Sequence, residues 1–257
     1  MRCSRSAYCF ATLTAEGEYF RIERAMSETQ AQRGSKRKTQ RQGPGRPEGV
    51  SNSHERILKA AEDLFSKKGY SGTSLREIGE KCRVTTALIT YYFKSKESLL
   101  ETIVLRIGEK LEQQRLKHLA DLKEQNGPVS VRNIVRALIL PLMGMPDTPA
   151  TRRFMRIQSW LHSEPEPFAF QLRAKLYEKT NEKYIQALSE ALPHLSKKTI
   201  YWRFMLTVGC YLYASSDTHR LSQMSNKLCN PDDLEELLDE LTDFICGGLA
   251  AESTARS

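Results

Sequence analysis

The sequence predicts an all-α protein in which a small N-terminal helical domain precedes a larger helical body. Residues 73–96, TSLREIGEKCRVTTALITYYFKSK, form two short amphipathic segments with a tight turn between them. Further along, five segments with apolar residues every three or four positions are separated by breakers such as GMPDTP and EPEP. No stretch alternates apolar and polar residues with the period of two that is typical of a half-buried strand. We therefore expect helices and no sheet.

The first short segment begins with a helix-capping signal at Ser74. Glu77 follows three residues later, and this spacing is that of a capping box, in which each side chain accepts a hydrogen bond from the other residue's amide. The apolar residues that follow fall at i, i+3, i+4 and i+7, on one face of a helix. They are Leu75, Ile78, Gly79 and Cys82.

The second short segment is expected to present a polar face to the outside. Thr85 or Thr86 can cap it, and Ile89 lies on its inner side. The outward residues are Thr86, Ala87, Thr90 and Tyr91. Such a face suits a DNA groove, because hydroxyls reach phosphates or base edges and Ala87 or Leu88 can contact a thymine methyl group.

Residues 56–100 as a whole resemble the DNA-binding region of the TetR (tetracycline-repressor) family of bacterial transcription regulators. ILKAAEDLFSKKGYSGTSLREIGEKCRV resembles the family's first two helices, and TTALITYYFKSKESLL resembles its recognition helix running into the fourth. Arg83 stands where the family usually has a turn glycine, and a non-glycine residue with positive φ costs about 1 kcal/mol there. Thr90 stands where the family usually has a phosphate-contacting tyrosine, so Tyr91 or Tyr92 would replace that contact.

The resemblance implies a sequence-specific DNA-binding regulator, a repressor, built from three parts. We expect a disordered basic arm over residues 1–50, a helix-turn-helix DNA-binding domain over residues 51–97, and a helical ligand-binding and dimerisation domain over residues 98–257. The expected DNA-binding residues are Arg46, Ser74, Arg76, Thr85, Thr86, Ala87, Leu88, Thr90, Tyr91, Tyr92 and Lys96. The alternative is a helical hairpin of another all-α protein, with the two tyrosines in its core.

Positive charge is concentrated at the N-terminal end of the chain. Residues 1–50 carry ten Lys and Arg against five Asp and Glu, residues 51–96 carry nine against five, and residues 97–257 carry 20 against 21. This distribution is expected of a protein whose N-terminal part binds phosphates. The GPGRP piece of the arm resembles an AT-hook, which would place Arg46 in an A·T minor groove, although a solubilising tail has the same composition.

Several other classes of protein are disfavoured. No apolar run approaches the roughly 20 residues that cross a bilayer, and the first 25 residues lack the apolar core of a secretory signal, so we expect a cytoplasmic, nucleoid-associated protein. We expect translation to begin at Met26, the start of the polar stretch MSETQAQRGSKRK, with Met1 as the alternative start. The six cysteines form no C-x-x-C pair, the histidines are scattered, and no catalytic or phosphate-binding motif is present. We expect no enzymatic activity, no metal and no cofactor.

Two C-terminal segments are expected to pack against a partner. TIYWRFMLTVGCYLYASS is apolar around most of its circumference, and the last segment begins at Pro231 with an apolar stripe behind acidic residues. In the resembling family the final two helices of each subunit form a four-helix dimer interface, which implies a homodimer on a palindromic operator. The expected interface residues are Tyr201, Phe204, Val208, Leu212, Leu234, Leu238, Leu241, Phe244 and Ile245. The alternative is the core of a monomer.

The resemblance also implies a small-molecule effector that binds among the middle helices and releases the operator. Candidate lining residues are Phe154, Trp160, His162, Tyr184, Trp202 and Met205, and ordinary core packing is the alternative for each. Residues 160–204 resemble family members that regulate fatty-acid metabolism, so an acyl-type effector is expected. A second class of function is an architectural DNA-binding protein without a ligand, which would coat DNA indifferently instead of protecting a short palindrome.

Overall fold

The computed structural model of the chain describes residues 48–124, 127–146, 148–215 and 220–252, with side chains from Asn52 onward. These residues form ten α-helices and no strand, so the all-α prediction is confirmed. The helices are α1 (Glu48–Lys68), α2 (Leu75–Cys82), α3 (Thr86–Phe93), α4 (Lys96–Glu124), α5 (Val131–Met143), α6 (Pro149–Ser163), α7 (Pro167–Ala191), α8 (Lys197–Ala214), α9 (Arg220–Met224) and α10 (Leu234–Ala250). The expected arm with Arg46, and both candidate start residues, lie outside the described residues.

Side-chain caps begin seven of these helices. In each, the side-chain oxygen of the residue before the helix accepts a hydrogen bond from the amide three positions on, which satisfies one of the unpaired amides of the first turn. The capping residues are Ser74, Thr85, Ser95, Ser130, Thr148, Ser196 and Asp233. The capping box predicted at Ser74 is confirmed in both halves, because the Ser74 amide also donates to the Glu77 carboxylate at 2.9 Å.

The buried apolar residues form two clusters that share helices. The head cluster joins α1, α2, α3 and the start of α4 to residues of α6 and α7, including Ile157, Leu161 and Leu172. The body cluster joins the later part of α4 to α5, α8 and α10, and it also takes Phe154 from α6 and Tyr184 from α7. Because α4, α6 and α7 contribute to both clusters, a displacement of these helices in the body changes the packing of the head.

Candidate nucleic-acid interface

The turn between α2 and α3 depends on two backbone features. Arg83 caps α2 in the left-handed conformation, with φ 54° and ψ 50°. The amide of Val84 donates to the carbonyl of Gly79 at 2.9 Å, and a Cβ atom placed on Gly79 would lie 2.7 Å from the Val84 carbonyl oxygen. Only glycine allows that approach, so Gly79 sets the angle at which α3 leaves the turn.

The outer face of α3 is exposed as its periodicity predicts. Thr85 caps the helix by accepting from the Leu88 amide at 3.2 Å, while Leu88 itself is half-buried. The exposed residues are Thr86, Ala87, Thr90 and Tyr91. Tyr91 is 80% exposed, whereas Tyr92 is half-buried with its ring 5.5 Å from that of His54. Of the two tyrosines, Tyr91 is therefore the one placed to reach a partner.

Two lysines after α3 have different environments. Lys96 donates its ammonium hydrogens to the carbonyls of Tyr70 at 3.0 Å and Thr73 at 2.9 Å, and its nitrogen lies 3.9 Å from the centre of the Tyr70 ring. Lys94 is exposed, has φ 63°, and makes no ion pair within the described residues. The sequence prediction omitted Lys94 from the DNA-binding set, although its position directly after the recognition helix was a usable signal. A DNA contact by Lys96 stays a prediction.

Ser74 and Arg76 lie at the exposed start of α2, where both already have intramolecular partners. Arg76 pairs with Glu80 at 2.9 Å. The Ser74 hydroxyl donates to the Glu77 carboxylate at 3.0 Å. Hydrogen bonds from Lys68 and Ser74 lower the pKa of Glu77 to about 2, so this carboxylate stays charged beside the predicted DNA surface. Exposed pairs of this kind contribute little to stability, and a phosphate can therefore displace them at small cost.

An aromatic contact joins the head to α6 and α7. The Tyr70 ring lies 5.8 Å from Trp160 and 4.3 Å from Phe168, and its hydroxyl donates to the Glu97 carboxylate. The Trp160 indole packs on Gly69, where a Cβ atom would lie 2.9 Å from the indole nitrogen. The Trp160 ring thus packs against the loop before α2, and its predicted contact with an effector stays a prediction.

The other predicted effector residues divide into an interior group and an exposed group. Phe154 and Tyr184 lie in the body cluster. His162 is partly buried with its ring 5.1 Å from that of Tyr177, and burial together with the nearby positive Arg173 lowers its pKa to about 4. Trp202 and Met205 are corrected, because they are 65% and 64% exposed on α8 and so face away from the interior.

The predicted dimer residues on α8 and α10 divide into a buried group, for which the prediction is corrected, and an exposed group. The buried ones belong to the body cluster of a single chain: Phe204, Val208, Leu212, Leu238, Leu241 and Ile245. The residues exposed on α8 are Tyr201, Trp202, Met205, Leu206 and Tyr213, and on α10 they include Leu234 and Phe244. The prediction took residues from both sides because α8 is apolar on both sides, and periodicity does not say which side meets the body. A dimer contact by the exposed Tyr201, Leu234 and Phe244 stays a prediction.

A buried ion pair inside the body was not predicted. The Arg115 Nη1 donates to the Glu112 Oε1 at 2.8 Å, and both side chains are almost completely buried. The Arg115 Nε donates to the Leu138 carbonyl at 2.9 Å, and the Tyr184 hydroxyl donates to the Arg115 carbonyl at 2.8 Å. Burial raises the pKa of Glu112, and the Arg115 charge opposes that rise. In sequence, the i,i+3 spacing of this pair is the same as that of a surface pair on an exposed helix.

No three His, Cys, Asp or Glu side chains of the described ranges are grouped as a metal site. Likewise, none of the described helices is long and apolar enough to cross a membrane.

Two family profiles match the chain. Residues 57–103 match the profile described as "Bacterial regulatory proteins, tetR family", and residues 136–248 match "Tetracyclin repressor-like, C-terminal domain". The first covers α2 and α3 and the second covers α6 to α9, so the matched regions contain both the exposed α3 face and the exposed α8 face.

Individual relatives agree with the profiles. An HTH-type transcriptional repressor of Mycobacterium tuberculosis is 31% identical over 133 residues, which are 51% of this chain and 68% of that protein. The probable HTH-type transcriptional regulator YttP of Bacillus subtilis is 45% identical over 58 residues, so the match spans 23% of this chain and only 28% of YttP. This chain is also similar to the structure of Bacillus subtilis FadR in complex with stearoyl-CoA. The superposition covers 76% of this chain and 98% of the FadR chain, with a TM-score of 0.50. At 16% identity this last likeness shows the fold alone.

Proposed function

This chain belongs to the TetR family of bacterial transcriptional regulators, and on that premise we propose that it is a homodimeric repressor released from a palindromic operator by a small-molecule effector. Residues 51–97 would supply the DNA-binding domain and residues 98–257 the ligand-binding and dimerisation domain. Repression places the protein in the cytoplasm, where its DNA is.

The observation that carries this proposal is the exposed face of α3. Hydroxyl, methyl and phenol groups project from it, and an exposed cation follows each of the two short helices, Arg83 after α2 and Lys94 after α3. Within the described residues neither cation makes an ion pair, so both are available to phosphates. Phosphate contacts fix the position of a helix on the duplex, while the side chains between them read base edges in the major groove.

Dimerisation is supported by the chemistry of the α8 and α10 surface. The exposed side chains there are large and apolar, and a contiguous apolar patch of this kind marks a protein–protein contact. One head bound alone would have little more than non-specific affinity, about 10⁻⁴–10⁻⁶ M at physiological salt. Two heads held at one spacing add their contacts with little further loss of freedom, which makes binding to two half-sites specific.

An effector of acyl type is proposed on a narrower basis. FadR, whose structure is in complex with stearoyl-CoA, shares the fold of this chain, and that complex is one precedent for an acyl ligand in a protein of this fold. In this chain α4 carries the buried Glu112–Arg115 pair, and α6 carries Trp160, which contacts Tyr70. Both helices also contribute residues to the head cluster. A ligand that displaces either helix would therefore change the position of α3.

Selection of bound fragments from genomic DNA tests this proposal against an architectural role. A repressor should enrich fragments that share one inverted repeat, with half-site centres about one helical turn or more apart. An architectural protein should enrich no sequence, because its contacts go to phosphates alone. Loss of enrichment when Tyr91 and Thr86 are both replaced by Ala would tie the selected sequence to the α3 face.

A further inference from the structure

The segment between α8 and α10 exposes large apolar side chains that the single chain does not cover. Residues 220–233, here called the connector, include α9 and the turn after it. Leu221, Met224 and Leu228 are 47%, 71% and 86% exposed. None of these described residues is buried, and none belongs to the head cluster or the body cluster. Large apolar side chains exposed together in one segment mark a contact with another molecule.

Local hydrogen bonds hold the connector in a defined conformation. The amides of Ser225, Lys227 and Leu228 donate to carbonyls three to five residues earlier, and the Cys229 amide donates to the Ser225 hydroxyl at 3.1 Å. Asn226 and Lys227 both have positive φ, at 51° and 67°, which is unfavourable for residues other than glycine. A helix as short as α9 is also unstable by itself. The conformation therefore needs tertiary packing, and the single chain buries none of the connector's side chains.

The connector lies at one end of the pair formed by α8 and α10. The Arg203 guanidinium, in the second turn of α8, donates to the Leu249 carbonyl near the end of α10, so the two packed helices run in opposite directions. The end of α8 and the start of α10 therefore lie together at the other end of the pair. Tyr213 and Leu234 are 62% and 50% exposed there. The connector thus continues the exposed apolar face of α8 and α10 at that end.

The two ends of this helix pair carry opposite charges. Residues 220–236, at the connector end, include four acidic side chains and two basic ones, whereas residues 196–203, at the start of α8, include three basic side chains and no acidic one. Lys198, Asp232 and Glu235 are exposed. A second copy related by a twofold axis perpendicular to these helices places each acidic end beside a basic end. An axis parallel to the helices would place like charges together, which is unfavourable.

We propose that the connector packs on the start of α8 in a second copy of this chain, so that each protomer covers the partner's Tyr201 and the partner's Trp202. The inference rests on the proposed homodimer and adds the connector to α8 and α10 as a third element of its interface. These two aromatic side chains are 51% and 65% exposed in the single chain, and covered Tyr and Trp side chains are frequent anchors of interfaces. Met224 and Leu228 supply the apolar surface that covers them. Both sides of this contact belong to one chain, as an interface about a twofold axis requires.

Charge reversal tests the antiparallel arrangement of the two copies. Lys198→Glu and Glu235→Lys each place like charges together at both ends of the dimer, so each should weaken dimerisation about fivefold at low salt in sedimentation equilibrium. The double variant restores opposite charges across the interface and should recover the unmodified dissociation constant to within about twofold. Lys183→Glu, an exposed change on α7, is the control that should leave this constant unchanged. A double variant that dimerises no better than the weaker single variant would overturn the inference.

Photo-crosslinking identifies what covers the connector. The photoreactive residue p-benzoylphenylalanine replaces Leu228 in dimers that are mixed from isotope-labelled and unlabelled chains. We expect a crosslink that joins one labelled chain to one unlabelled chain and ends on the peptide with the partner's Trp202. A crosslink within one chain, a crosslink to the partner's connector, or no crosslink in a sample that sediments as a dimer would contradict the inference.

Removal of the apolar contact measures its contribution to the dimer. Met224→Ser combined with Leu228→Ser should raise the dissociation constant of the dimer about tenfold. Circular dichroism should be unchanged, because both side chains are exposed in the single chain. Phe170→Ser on α7, where the side chain is 56% exposed, is the matched control that should leave the dimer unchanged.

Failure of this inference is distinguishable from failure of the proposed function. An unmodified protein that sediments as a monomer overturns the proposed homodimer, and the inference with it. A protein that forms a dimer whose dissociation constant is the same in the Met224→Ser, Leu228→Ser double variant overturns the inference alone.

Discussion

The exposed faces of α3 and α8 have similar helical spacing and opposite chemistry. On α3, the outward side chains are two threonines, an alanine and a tyrosine, with exposed cations after α2 and after α3. On α8, they are Tyr201, Trp202, Met205, Leu206 and Tyr213, each more than half exposed. Both faces are exposed to water in the single chain, but each suits a different kind of partner. The first suits phosphates and base edges, and the second suits another apolar protein surface.

The contrast also shows which residues of each helix are structural. Both helices bury one side, with Ile89 and Phe93 in the head cluster and Phe204, Val208 and Leu212 in the body cluster. Changes on the buried side of either helix should unfold the protein, whereas changes on the exposed side should remove a partner and leave the fold intact.

The largest effect is expected from charges on the exposed face of α8. Trp202→Asp combined with Met205→Asp places two carboxylates in the proposed interface, where desolvating them costs several kcal/mol. We expect a folded, helical monomer whose operator affinity has fallen at least 100-fold, as measured by fluorescence anisotropy. Lys183→Asp, an exposed change on α7, is the control that should keep full affinity. If the double variant kept its operator affinity, operator binding would not depend on the exposed α8 face, and the prediction would be wrong.

A second effect concerns the glycine that positions α3. In Gly79→Ala the added Cβ lies 2.7 Å from the Val84 carbonyl oxygen, so the turn must shift. We expect the free energy of urea unfolding to fall by about 1–3 kcal/mol, the usual cost of overpacking. Operator binding should weaken as well. Lys183→Ala, an exposed change on α7, is the control that should leave the free energy of unfolding unchanged. Equal stability of both variants would contradict the close approach.

The two lysines after α3 allow a smaller and sharper comparison. Lys94→Ala should reduce the slope of log affinity against log salt by about 0.9 and leave unfolding unchanged, because one phosphate contact is lost. Lys96→Ala should instead lower the free energy of unfolding by about 1–2 kcal/mol, since two carbonyl groups lose their donor. If Lys96→Ala reduced the slope of log affinity against log salt and left the free energy of unfolding unchanged, Lys96 would contact DNA phosphate and not stabilise the fold.

The smallest effect is expected on the pH dependence of folding stability, through His162, which lies on neither the exposed α3 face nor the exposed α8 face. The folded chain lowers the pKa of His162 from 6.5 to about 4, so the folded state favours the neutral ring. Between these values the unfolded chain binds the proton more readily, and stability should decline as the pH falls from about 6.5 toward 4. His162→Asn should make urea unfolding less dependent on pH over that interval. An identical pH dependence in the variant would show that other groups cause it.

Local signals in the sequence predicted the head well. The Ser74 capping box, the Thr85 cap and the outward residues of α3 each depend on neighbours within four positions, and the structure places all of them as expected. The faces of α8 and α10 depend on distant residues, so Phe204 and Leu241 were assigned to an interface although they pack within one chain. Trp160 likewise packs on Gly69, more than 90 positions away, which periodicity does not encode. The buried Glu112–Arg115 pair was missed because its i,i+3 spacing is also that of a pair on an exposed helix face.

Sedimentation velocity of the unmodified protein at micromolar concentration tests the central claim most directly, since the two exposed faces require two partners. We expect a dimer in the absence of DNA, because exposed apolar area like that of Trp202, Met205 and Phe244 is covered in a stable assembly. The same sample should bind a selected operator as one dimer per palindrome. A protein that sediments as a monomer at this concentration and still binds the operator specifically would contradict the account.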